Sequence, residues 1–259
     1  MDDFQSFDSA GVEIAYIDEA ADTDEKPGEV IILVHGFASN VVFNWTDTGW
    51  VRHLTRSGYR VIALDNRGHG KSGKPHDAAA YGAPVMAEDV RRLMEHLSLE
   101  RADVMGFSMG ARIAAFLVIK HPKMVRSVVF GGLGANMVRG MAGTGPIANA
   151  LEAPSIDDVK NATARTFRAF AEATGSDLKA LAACIRSSRD PVEAEALGKV
   201  LCPVLVAVGT DDVIGGAPEG LAKLFPSGEA LEITGRDHMK SVGDRVFKQG
   251  VIEFLRRRG

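Results

Sequence analysis

The stretch Val104-Met105-Gly106-Phe107-Ser108-Met109-Gly110-Ala111 decides how this chain is read. Its first residues end a short apolar run, Ala102 to Met105, and Ala111 to Lys120 continues it with the pattern of a helix. A Gly-x-Ser-x-Gly pattern between strand and helix puts a serine on a tight turn. The backbone of that serine is strained, and residues two positions either side must be small for strand and helix to approach. The hydroxyl then stands clear of the sheet at a helix N-terminus, whose dipole favours developing negative charge. Ser108 is therefore a candidate nucleophile.

Working outward, apolar runs alternate with helical segments, which predicts βαβ units and a parallel sheet. The strands are Val30 to Val34, Tyr59 to Leu64, Ala102 to Met105, Val125 to Phe130, Val204 to Val208 and Glu229 to Ile233. Helices are expected over Val85 to Leu97, Ala111 to Lys120 and Arg245 to Arg257. Phe4 to Asp8 and Val12 to Ile17 flank Ser9-Ala10-Gly11, a hairpin signal, and Asp18 to Glu29 reads as a solvated loop. From about Leu133 to Leu201 the alternation breaks: a glycine-rich stretch over Gly131 to Gly145 precedes helical runs at Ser155 to Ala173, Asp177 to Ser187 and Val192 to Val200. Ser155 and Asp158 resemble a capping box. The expected organisation is a core of residues 1–132 and 202–259, with 133–201 inserted as a helical lid.

Composition narrows the function classes. Lys+Arg 30 against Asp+Glu 34 leaves a formal charge of -4, too balanced for a nucleic-acid partner. Arg256-Arg257-Arg258 reads as the frayed, charged end of the last helix. No apolar run approaches membrane-spanning length, and the acidic start Met1-Asp2-Asp3-Phe4 lacks an apolar leader. Cys184 and Cys202 have neither redox nor metal-ligand spacing and read as reduced thiols. A cytoplasmic protein with no metal and no cofactor is the expectation.

A serine hydroxyl needs a base within hydrogen-bond reach. His238 follows the last expected strand, where a loop would return it over the sheet edge. The third member should follow Val204 to Val208, where Asp211 and Asp212 stand side by side. Neighbours on an extended segment point in different directions, so only one of them can orient the imidazole; the other would cap a turn or bond to backbone amides. Asp237 is a poor acid, because adjacency to His238 does not give the required geometry.

These features together resemble the α/β-hydrolase superfamily, specifically its compact esterase-like members with a helical lid. His35-Gly36-Phe37 stands after Val34, and Asp65-Asn66-Arg67-Gly68-His69-Gly70-Lys71-Ser72 after Leu64, as the family's motifs do. The resemblance implies an α/β fold: a mostly parallel sheet of about eight strands, an antiparallel N-terminal hairpin, helices on both faces and a small helical cap. It also implies Asp212 rather than Asp211 as the acid, and the backbone N–H groups of Phe37 and Met109 as the oxyanion hole. His35 and His69 read as structural. Phe37, Trp45, Met109, Met137 and Met239 are candidates for lining an apolar pocket.

The expected activity is hydrolysis of a small carboxylic ester through an acyl-enzyme, with Ser108 as nucleophile, His238 as base and Asp212 as orienting acid. A serine at the elbow argues against the dehalogenase and epoxide-hydrolase branches, whose nucleophile is a carboxylate. Carbon–carbon bond hydrolysis of an aromatic ring-cleavage product, cofactor-free perhydrolysis and a non-catalytic sensing role are the alternatives.

Overall fold

Period-two burial on two faces explains the architecture. In Glu29–Val34 (β3), Ile31 and Leu33 enter one apolar cluster and Ile32 and Val34 the other. A strand apolar on both faces needs helices on both faces. The computed structural model describes residues 3–23, 29–139, 144–187 and 191–258. Part of the expected acidic loop, 24–28, and part of the glycine-rich stretch, 140–143, lie outside them.

Among the described residues, eight strands form one sheet: Gln5–Ser9 (β1), Val12–Glu19 (β2), β3, Tyr59–Leu64 (β4), Ala102–Phe107 (β5), Val125–Gly131 (β6), Val204–Gly209 (β7) and Gly228–Ile233 (β8). Their order is β1-β2-β4-β3-β5-β6-β7-β8. The first hairpin turns at Ala10 and Gly11, both with positive φ (54° and 84°), the geometry that matches strand twist. β2 pairs antiparallel with β4, and every later pairing is parallel. After β3 the chain steps to β4 on one side, then to β5 on the other. In such sheets ligands bind at the carboxyl ends of the strands that flank this reversal.

Ten α-helical segments are numbered in chain order among the described residues: Trp50–Thr55 (α1), Ala83–His96 (α2), Met109–Lys120 (α3), Thr144–Glu152 (α4), Ala162–Ala173 (α5), Leu178–Ser187 (α6), Ala194–Leu197 (α7), Pro218–Ala222 (α8), His238–Ser241 (α9) and Arg245–Arg257 (α10). α2 and α3 bury Val90, Leu93, Ile113 and Leu117 against one face of the sheet; α1 and α10 bury Trp50, Leu54, Phe247 and Val251 against the other. None of these helices is long and apolar enough to cross a membrane.

The 133–201 segment differs in detail from its sequence reading. α4, which begins within the glycine-rich stretch, is absent from the expected helical runs; its Pro146 lies in the first turn and removes only an N–H that the helix leaves unpaired. Ser155 caps a single turn over Ile156–Asp158, and Asn161 caps α5 by accepting the Ala164 N–H at 2.9 Å. The run at Val192 to Val200 shortens to α7. α4, α5 and α6 share their own apolar cluster, to which Ala38, from the loop after β3, contributes. Arg168 holds α5 to α4 by donating to the carbonyls of Ala150 and Ala153 at 2.8 and 2.9 Å.

The basic C-terminal run is not frayed at Arg258. Its guanidinium donates to Asp103 on β5 at 2.6 and 2.5 Å and to Glu29 on β3 at 2.5 Å. Asp103 is buried and also accepts the Ser127 hydroxyl at 2.7 Å, so a cation there offsets its desolvation. Removing one partner of a buried pair is costly. Arg258→Met is expected to destabilise the fold by about 3 kcal/mol, against ~0.5 kcal/mol or less for Arg256→Met at an exposed position. Urea unfolding of the two variants checks this; equal midpoints contradict it.

Candidate active site

Ser108 sits between β5 and α3 with φ 56° and ψ -113°, a conformation that side-chain-bearing residues rarely adopt. The flanking glycines make the turn possible. A Cβ on Gly106 would lie 2.1 Å from the Gly110 carbonyl oxygen, and one on Gly110 would lie 1.9 Å from that of Val34. The ends of β5, α3 and β3 thus meet with main chains in contact. Ser108 N–H donates to Gly131 O at 2.8 Å, which ties the turn to the end of β6.

Two further strand ends deliver the partners. After β7 the chain turns tightly, with Asp212 N–H donating to Gly209 O at 3.1 Å. Asp212 Oδ1 accepts the N–H groups of Ile214 and Gly215 at 2.8 and 2.9 Å, which aims Oδ2 at His238. His238 is the first residue of α9, whose N-cap is Asp237, accepting the Lys240 N–H at 2.8 Å. The Nδ1–H of His238 donates to Asp212 Oδ2 at 2.7 Å, since a carboxylate can only accept. That leaves Nε2 to accept from Ser108 Oγ at 2.9 Å.

The structure therefore brings Ser108, His238 and Asp212 into one chain of hydrogen bonds. Asp211 is exposed, and among the described residues its carboxylate accepts only the Thr210 hydroxyl, at 3.2 Å. The expected division of labour between the two aspartates does not hold: Asp212 binds backbone amides with one oxygen and the imidazole with the other.

The Phe37 and Met109 N–H groups have no acceptor among the described residues. Their neighbourhood is tight, for a Cβ on Gly36 would lie 3.4 Å from Ser108 Cβ. The loops around them are held by buried polar groups. His35 Nδ1–H donates to Gly36 O at 2.7 Å while Nε2 accepts the Asn66 N–H at 3.0 Å. That pattern requires an uncharged ring, and burial pushes the imidazole down to about 4. His69 Nδ1–H donates to Arg67 O at 2.9 Å; burial, and then the neighbouring His35, push it down to about 3. Asp65 accepts the Val41 and Lys71 N–H groups, each at 2.7 Å, and Arg67 is clamped to the buried Asp89 at 2.7 and 2.6 Å.

A cavity of about 460 Å³ opens beside Ser108 and His238. Phe37 and Met239 line it, as expected, but Trp45 and Met137 do not. Trp45 lies on the wide helical turn Val42–Thr46 and is fully buried among Trp50 and its neighbours, so Phe43 and Asn44 face the cavity instead. Met137 is buried in the cluster under α2 and α3, and its carbonyl accepts from Arg112 at 3.0 Å. The Met109 side chain packs 3.9 Å from Cys184 Sγ, outside the lining. Phe107, Ile214, Val242 and four residues of α5 were not anticipated. Thr163, Thr166, Phe167 and Phe170 form one stripe of α5 toward the cavity; Ala164, Arg168 and Ala171 form the neighbouring, buried stripe. That periodicity was present in the sequence.

Comparison with known proteins agrees with this geometry at the level of fold. Residues 29–141 match the family model described as alpha/beta hydrolase fold. A "serine hydrolase-like protein" of Danio rerio is 35% identical over 103 residues, 39% of this chain and 30% of its own length. This chain thus aligns with under a third of that curated relative. Among solved structures, a hydrolase from Pseudomonas aeruginosa PA01 superposes with a TM-score of 0.80 at 22% identity, covering 98% of both chains. The enol-lactonase from Burkholderia xenovorans LB400 gives 0.80 at 20% identity, over 98% of this chain and all of its own (100%).

Two measurements follow. Gly110→Ala forces Cβ into the Val34 carbonyl and is expected to cost about 3 kcal/mol or more; near-native unfolding by circular dichroism rejects that packing. The unfolded chain takes up protons at His35 and His69 that the folded chain refuses. Stability should therefore be full above the ordinary histidine value of 6.5 and fall as pH drops toward 4. Each ring contributes up to about 1.4 kcal/mol per pH unit in that window. The slope of urea stability against pH should shrink in His69→Asn; an unchanged slope contradicts the assignment.

Proposed function

Taking the α/β-hydrolase fold of this chain as the premise, we propose that it is a serine hydrolase of small carboxylic esters acting through an acyl-enzyme. The observation that carries this reading is the relay of 2.9 Å from Ser108 Oγ to His238 Nε2 and 2.7 Å from His238 Nδ1 to Asp212 Oδ2, at the edge of an apolar cavity. Ser108 Oγ attacks the ester carbonyl carbon as its proton passes to Nε2. Asp212 holds the ring in the tautomer that accepts this proton and stabilises the imidazolium. The negative oxygen falls to the N–H groups of Phe37 and Met109, each such donor contributing on the order of 3 kcal/mol. Collapse expels the alcohol with the proton from Nε2. Water, deprotonated by the same nitrogen, then releases the acid and restores Ser108.

In this reading residues 133–201 act as the lid, and α5 supplies the roof of the pocket through Phe167 and Phe170. Among the described residues the lining holds no Lys, Arg, Asp or Glu. An anionic substrate would leave its carboxylate buried without a cation, so uncharged esters fit better than the dienoic acids made by aromatic ring cleavage.

Ser108→Ala should lower turnover of p-nitrophenyl butyrate by at least ~10³-fold while leaving the melting temperature near that of the parent chain. A phosphonate ester should label the parent and not the variant. Turnover unaffected by the substitution rejects the proposal.

A further inference from the structure

We infer that Thr174, which ends lid helix α5, is a positioning residue for the oxyanion hole: its hydroxyl holds the Ala38 carbonyl and so fixes the turn that presents the Phe37 N–H. This rests on the ester-hydrolase reading of the site and adds to it a residue that lies outside the cavity lining.

The turn needs an outside hold. Gly36 to Ser39 is closed by the Ser39 N–H donating to Gly36 O at 3.3 Å, with Phe37 and Ala38 at its two central positions. Ala38 has φ 58°, where a turn ordinarily places glycine because a Cβ is disfavoured there. A conformation of that kind persists only when its surroundings fix it.

α5 supplies those surroundings. Thr174 Oγ1 lies 2.9 Å from Ala38 O and 3.1 Å from Ala171 O, and it has one proton to give. Ala171 O already accepts the Ser176 N–H at 2.9 Å, whereas no other donor reaches Ala38 O among the described residues. The proton therefore serves Ala38, a fully buried residue whose carbonyl would otherwise be left unpaired. Ser176 Oγ, 2.8 Å from Thr174 Oγ1, donates to it in turn.

Two helical turns earlier, Phe167 reaches the same segment. Its ring centroid lies 6.0 Å from that of Phe37, and His69 of the core meets the Phe37 ring edge-on at 5.8 Å. Residues seven apart share a helix face, so one face of α5 holds both the Phe37 ring and the Ala38 carbonyl. The Ala38 side chain itself lies in the apolar cluster of α4, α5 and α6. The lid helix thus sets where the Phe37 N–H points. A donor displaced from the developing negative oxygen stabilises the transition state less and leaves ground-state binding as it was.

Hydrolysis of p-nitrophenyl butyrate by the full chain tests this. Thr174→Val keeps the shape of a half-buried side chain and removes its donor. It should lower kcat about tenfold and change KM by less than about twofold. Thr174→Ser keeps the hydroxyl and should return kcat to within about twofold of the parent chain. Trifluoromethyl pentyl ketone gives a second readout: Ser108 Oγ adds to its carbonyl carbon, the proton passes to His238 and the negative oxygen takes the oxyanion site. Its inhibition constant should rise in Thr174→Val by the factor by which kcat/KM falls. A folded Thr174→Val chain with the parent's kcat, a loss confined to KM, or a loss that Thr174→Ser does not recover overturns the assignment and leaves the hydrolase reading standing. Turnover that survives Ser108→Ala rejects the hydrolase reading, and this assignment with it. If Thr174→Val does not melt cooperatively, Thr174→Ala removes the same donor with less bulk and is judged by the same outcomes. Failure of both to fold overturns the assignment, because Thr174 then serves the fold before the turn.

Discussion

Main-chain contact at the serine turn is the constraint from which the site follows. Gly106 and Gly110 allow β5, α3 and the end of β3 to touch without side chains between them. That approach holds Ser108 in a conformation it would not choose alone, with φ 56°. The strain persists because β5 is buried along its whole length and the Ser108 N–H is bonded to the end of β6. With the hydroxyl held there, the ends of β7 and β8 have only to bring an aspartate and a histidine to the same side of the sheet. The parallel pairing of β6, β7 and β8 does this by pointing all their carboxyl ends one way.

Much of the polar chemistry near the site is spent on holding loops. His35 spans the loops after β3 and β4 with one donor and one acceptor, a role that a charged ring could not fill. Asp65 ties Val41 to Lys71, and the Arg67–Asp89 clamp anchors the same loop to α2. Burial that keeps His35 and His69 uncharged also makes them poor proton carriers near neutral pH, whereas His238 stands half-buried at the cavity. The two scaffolding imidazoles have no solvent contact, whereas the one beside Ser108 does.

The fold was legible because its strands are apolar runs of a length that only a two-sided sheet can bury, and because the serine motif sits at a strand–helix junction. Ser108 and His238 could be found from chain order alone. The choice between Asp211 and Asp212 could not: it depends on a tight turn after β7 that places one carboxylate inward and the other in solvent. Trp45 misled for a related reason. An aromatic residue beside a motif has no readable direction until its helical turn is known, and here the wide turn over Val42–Thr46 sends the indole into the core. α4 begins inside the glycine-rich stretch and so had no visible start, although the α5 stripe of Thr163, Thr166, Phe167 and Phe170 was open to inspection. Arg258 looked like loose charge because its partners lie 155 and 229 positions away in sequence.

That last separation bears on how the molecule comes into being. During synthesis Asp103 leaves the ribosome long before the arginine that will neutralise it, so the middle of the nascent sheet carries an acid with no strong counter-ion. Arg126 can approach it, at 3.7 Å in the finished molecule, yet the bidentate contact waits for α10. A chain that stops short of α10 therefore lacks the cation of a buried pair, and one that stops before β7 lacks Asp212 and His238 as well.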